Sequence, residues 1–201
     1  MISELSIANG TWEGESHGLD AQYSSINVLN TNISVGENHG TALRILGGDL
    51  SVNGDLNLTH EAQWADTTSI GLQLIWSHII ANSINIEGFS TGFSCETTST
   101  TEIDSLSIID NTNIGYFQAC SESQIGSLNT NFGDYGLYSK SGQISITEWT
   151  ASSHTSSLLF TESSAKTYIR DWVGTGFTFA GQGEADELFY GSTEINENLI
   201  Q

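Results

Sequence analysis

Pairs of acidic side chains are the first residues of this chain that could carry out a reaction. Glu102 and Asp104 stand two residues apart, and Glu148-Trp149 and Asp171-Trp172 repeat an acid beside a tryptophan. A glycosidase needs two carboxylates about 5–10 Å apart around the bond it breaks. A chain with 24 acidic residues places some of them together by chance, so none is assigned as catalytic. A lyase acting on uronates would want a base beside its carboxylates. Arg44, Lys140, Lys166 and Arg170 are the only Arg and Lys residues, and none repeats beside an acidic cluster.

Sugar recognition asks for less, namely an aromatic face for the ring and carboxylates for the hydroxyls. His60, Glu61, Trp64 and Asp66 offer that combination in one short segment, and Trp149 and Trp172 offer it again further on. These six residues are the glycan-binding candidates. His17-Gly18 and His39-Gly40 precede two glycines one repeat apart, with Asp20 nearby. Two imidazoles and one carboxylate without further spacing fall short of a metal motif. No Gly-x-Ser-x-Gly, phosphate-binding loop or Cys/His metal signature occurs, so neither metal nor cofactor is expected.

The elements that would position these residues recur at a fixed interval. Glycine followed by apolar residues appears at Gly18, Gly40, Gly71, Gly92, Gly115, Gly136 and Gly176, with Ser157-Leu158-Leu159-Phe160 in the slot that lacks its glycine. The steps are 22, 31, 21, 23, 21, 21 and 19 residues. Such periods mark solenoids, whose repeats bury their apolar faces against one another. Between the anchors run Ile103-Asp104-Ser105-Leu106-Ser107-Ile108, Ile125-Gly126-Ser127-Leu128-Asn129-Thr130 and similar segments, with the alternation of half-buried strands. Each repeat thus offers at least two short strands. The chain has no proline, so Gly, Asn and Asp must turn the corners.

The Ile-x-x-Leu-x-Ile strand, the polar corner Asn111-Thr112-Asn113 and the entry Ile114-Gly115-Tyr116 resemble the right-handed parallel β-helix, the pectate-lyase-like architecture of many polysaccharide-active enzymes and phage tailspikes. The resemblance covers about residues 2–180 and carries no activity with it. The expected fold is all-β: one right-handed solenoid of about eight coils over 1–180, with 181–201 as an acidic tail whose Leu188-Phe189-Tyr190 caps the last coil. Leucine-rich repeats rank lower, because their return segment is helical and here it alternates like a strand. A left-handed hexapeptide helix is excluded by a period that is not a multiple of six.

This register yields three further expectations. Residues two after each glycine should point outward, which lines up Phe117, Tyr138 and Leu159 as an apolar stripe for contact between subunits. The resemblance implies that such contacts build a parallel homotrimer. The long step between Gly40 and Gly71 places about ten extra residues in 47–68, as a protruding loop that holds the first four glycan candidates. Cys95 and Cys120 fall two residues out of register in adjacent repeats, with Cα atoms about 8 Å apart, too far for a disulfide. They are expected as two small buried hydrophobes.

Charge narrows the function classes. The 201 residues carry a net charge of -20, which disfavours nucleic acid and anionic membranes as partners. No apolar run approaches the ~20 residues of a membrane span, and no signal peptide is visible at the N-terminus. Taken with the resemblance, these features point to a non-enzymatic structural or adhesive protein of a virus-particle surface, such as a capsid decoration knob or short spike. Its partners would be other virion proteins and host-surface glycans. The alternative is a tailspike-like polysaccharide hydrolase or lyase domain.

Overall fold

A computed structural model describes residues 4–7, 10–14, 17–36, 40–61, 68–175, 182–183 and 187–190. Among these residues every regular element is a strand and every pairing between strands is parallel. The chain is a parallel β-solenoid that lays one strand on each of three faces in every turn. The first face stacks His17–Gln22, Thr41–Leu46, Ile70–Ile75, Thr91–Glu96 and Ile114–Ala119, followed by the opening residues of Tyr135–Ser152 and Ser157–Thr175. These turns are slightly fewer than the eight read from the glycines.

From Asp49–His60 onward the second and third faces are the two halves of one long strand, whereas in the turn before it they are the separate strands Ser25–Val28 and Thr31–Val35. In Thr100–Ile109, residues 100–103 lie on the second face and 105–109 on the third, and only Asp104 separates them. A one-residue bend needs no cluster of turn residues, so this corner is marked in the sequence only by lone residues such as Asp104 and Gly126. The other two corners hold residues with positive φ, among them Trp76 (52°), Thr97 (62°), Asp110 (55°) and Phe132 (64°).

Interior side chains stack rung on rung. Leu43, Leu72, Phe93, Tyr116, Leu137 and Leu159 form one buried column on the first face. Each such side chain taken out of water contributes roughly 1.5–3 kcal/mol. Gly92 shows why glycine returns once per turn. A Cβ there would stand 2.1 Å from Ile108 Cγ2 on the third face and 2.8 Å from the Gly115 carbonyl oxygen. In the turn that opens at Ser157 the sizes are exchanged: Leu158 takes the glycine place, and the third face carries Gly174 level with Ala151.

That exchange corrects the expected register. Leu137 pairs with Leu159 and Tyr138 with Phe160, so Leu159 is core, 1% exposed, and Phe160 takes its place outside. Gly40 also stands outside the glycine column. Leu19 pairs with Leu43, which puts Ala42 level with Gly18. Within the expected 47–68, Asp49–His60 is a regular strand of the second and third faces with a register shift between Val52 and Asp55. The extra residues fall in the last part of that range, after His60, most of which lies outside the described residues.

The cysteines are corrected as well. Cys95 and Cys120 form a disulfide, with Cα atoms 5.4 Å apart. Extended-strand spacing fails because the Ile114–Ala119 strand has ended before Cys120, where the chain turns a corner and Cys120 is buried against the interior. Beside this link the core becomes polar. Tyr116 Oη lies 2.8 Å from Ser123 Oγ and donates to Gln118 Oε1 at 3.0 Å, while Ser123 Oγ donates to the same Gln118 oxygen at 2.7 Å. Burial pushes the Tyr116 phenol up in pKa, against the pull of Ser123. Glu187–Tyr190 stacks in parallel on residues 166–169 and so extends the second face.

Candidate functional site

The outward column of the first face changes character along the solenoid. Asp20, Arg44, Gln73, Ser94, Phe117, Tyr138 and Phe160 occupy successive rungs in register. The first four are tied into polar contacts. Arg44 Nε donates to Asp20 Oδ1 at 3.0 Å, a bond that raises the guanidinium's pKa. Glu96 Oε1 accepts from Gln73 Nε2 at 2.9 Å and from Ser94 Oγ at 2.8 Å.

The last three positions are aromatic. Ring centroids stand 5.6 Å apart for Phe117–Tyr138 and 4.7 Å for Tyr138–Phe160. Tyr135 joins from the edge, 5.7 Å from both Tyr138 and Phe160. These separations are those of favourable aromatic pairs, and they follow from the strand spacing, which places like residues on neighbouring rungs about 4.8 Å apart. All four rings are half-buried. Tyr138 Oη donates to Glu162 Oε1 at 2.7 Å. That bond, with some burial, pushes the phenol up to about 12.

The glycan candidates among the described residues are not brought together. His60 is buried, with its ring edge-on to Phe89 at 5.3 Å. Glu61 is exposed at the corner, its backbone N–H bonded to the Val35 carbonyl at 3.0 Å. Trp64 and Asp66 lie outside the described residues. Trp149 is core, 2% exposed, with Nε1 donating to Thr130 Oγ1 at 3.1 Å. It offers no face to a sugar, because the position pairs with inward Leu128. Trp172, one rung on, is half-buried against the core.

The acidic pairs do meet. Glu148 and Asp171 are register partners on adjacent turns, and Asp171 Oδ2 accepts from Arg170 Nε at 3.1 Å. Glu102 precedes the bend between the second and third faces and Asp104 forms it, in a groove of about 350 Å3 with Asn82, Gln124, Ser145 and Thr147. His17 pairs with Thr41, and His39 lies outside the described residues. Among the described residues no three His, Cys, Asp or Glu side chains group as metal ligands.

Three residues escaped the sequence reading. Phe160 was hidden by the missing glycine, and Tyr135 lies ahead of its repeat's glycine. Trp76, 56% exposed, sits five residues after Gly71 at a corner that also holds Tyr23 and Thr97. A corner alignment rather than a strand alignment would have found it. Comparison with known proteins finds no matching family model, no similar curated protein and no similar solved structure.

Proposed function

We propose that this chain is a non-enzymatic structural and adhesive protein of a virus-particle surface, a decoration knob or short spike. In this reading it is a right-handed, pectate-lyase-like coil that assembles as a parallel homotrimer, attaches to other virion proteins and meets host-surface glycans. The observation that carries the reading is the band of Phe117, Tyr135, Tyr138 and Phe160 on an otherwise polar face. Clustered aromatic rings rimmed by polar and charged groups such as Glu162 have the make-up of a contact between proteins. A copy of the same chain packed side by side would place band against band.

The net charge of -20 per chain opposes that contact, so association should tighten as salt rises. Sedimentation equilibrium at low and high salt tests it. The expected result is a trimer favoured at high salt and a folded monomer for Tyr138→Glu. A wild-type chain that stays monomeric at micromolar concentration in both salts would overturn the assembly. The second reading, a tailspike-like hydrolase or lyase domain, is favoured by the register pairing of Glu148 with Asp171, a rung spacing near that of a retaining glycosidase pair. Turnover of a polysaccharide by the purified chain would favour it.

A further inference from the structure

We propose that the corner pocket beside Trp76 binds one neutral pyranose ring, a hexose or N-acetylhexosamine unit of a glycan. The inference rests on the adhesive reading above and gives it a site. The corner between the first and second faces repeats one backbone state, with φ of 50° at Tyr23, 64° at Gly47, 52° at Trp76 and 62° at Thr97. Gly and Asn adopt this left-handed state cheaply, whereas a bulky side chain is strained in it. The chain nevertheless places two large aromatics there, and leaves Tyr23 63% and Trp76 56% exposed. An indole so exposed adds little to the core, so its strained position is not explained by folding.

The glycines at this corner let successive turns approach closely: a Cβ on Gly48 would stand 2.1 Å from the Ser24 carbonyl oxygen, and one on Gly47 would stand 2.8 Å from the Tyr23 ring. Beside them is a pocket of about 280 Å3, lined by Gly47, Gly48, Asp49, Trp76, His78 and Thr100 among others. Its size suits a single ring, since pockets for drug-sized molecules begin near about 300 Å3.

The lining chemistry matches such a ring. The indole face supplies an apolar platform for sugar C–H groups. The exposed Asp49 carboxylate accepts hydrogen bonds from hydroxyls, and Thr98 and Thr100 both donate and accept them. His78 Nδ1 lies 2.7 Å from Thr100 Oγ1, which fixes the imidazole. The frame is set before any ligand arrives: Trp76 N–H donates to Thr97 Oγ1 at 3.0 Å, Gly47 N–H to the Ile75 carbonyl at 2.9 Å, and His78 N–H to the Gly48 carbonyl at 3.0 Å. Pre-organisation of this kind lowers the entropy lost on binding. Asp49 and the net charge of -20 repel uronates and sialates, which leaves neutral rings.

The test uses the full chain on an array of hexose, N-acetylhexosamine, uronate and sialate glycans, followed by titration of the strongest neutral binder. Trp76→Asn should weaken that binding at least about tenfold, or about 1.4 kcal/mol. The same variant should raise the melting temperature by roughly 2–4 °C, because Asn relieves the corner. Asp49→Asn should weaken binding with the melting temperature unchanged. Wild-type affinity in Trp76→Asn would overturn the site and leave glycan adhesion standing elsewhere on the chain. No neutral glycan bound by the wild type would overturn glycan adhesion itself. A lower melting temperature for Trp76→Asn would show that the indole holds the fold, and would also overturn the proposal.

Discussion

Tyr138 joins the aromatic band to a charge, and its phenol reports that junction. Its hydrogen bond to Glu162, at 2.7 Å, favours the protonated phenol, and the pKa rises to about 12 from an ordinary value near about 10. The folded value is the raised one, so the stabilisation is fully present below pH ~10 and fades as pH climbs through the folded pKa. Ultraviolet titration should therefore show two late tyrosines, buried Tyr116 and Tyr138. The Tyr138 step is lost in Tyr138→Phe and moves back toward ~10 in Glu162→Gln, while Tyr116 stays late in both. A Tyr138 step unmoved in Glu162→Gln would contradict the account. Single residues were also where the sequence misled most. Leu159 and Phe160 exchange sides because Leu158 fills a glycine position opposite Gly174, a swap visible only when the two faces are seen together. Trp149 is equally aromatic on either side of a strand, and only its pairing with Leu128 turns it inward.

At the scale of elements, the disulfide ties two neighbouring turns across a sequence separation of 25 residues, about one full circuit of the solenoid. By the chain-entropy relation a loop of that length stabilises the fold by about 3.5 kcal/mol. For a chain of this size that corresponds to roughly 7–14 °C in melting temperature. Calorimetry of the double variant Cys95→Ala, Cys120→Ala should show a fall of that order, and an unchanged midpoint would count against a closed link. The strands themselves were legible, since alternation such as Ile103, Leu106 and Ile108 inward with Glu102, Asp104 and Ser105 exposed is written in residue type. The corners were not. The bend at Asp104 joins two faces through a single residue rather than a turn cluster, and the swing at Cys120 shortens a distance that straight strands would make too long. The long step shows the same limit: its place within 47–68 was legible, but not that Asp49–His60 of that range is strand.

The whole molecule was the most legible level, because one interval repeated along the chain can bury its apolar residues only by stacking turn on turn. Composition also spoke at this level, in a net charge of -20 that any association must overcome. What the sequence did not set out was the change of the first face from an ion-paired and amide-lined half, through Asp20, Arg44, Gln73 and Ser94, to an aromatic half. That change appears only when residues about 21–29 positions apart are placed side by side by the register. The central claim is that the aromatic half is a side-to-side contact between copies of this chain. Small-angle X-ray scattering at high salt and micromolar concentration tests it most directly, since it reads length and cross-section together. The account predicts three times the monomer mass at the length of one solenoid, with a widened cross-section that collapses to that of a single prism in Tyr138→Glu. A particle with the cross-section of one prism, whether monomeric or lengthened by end-to-end stacking, would contradict it.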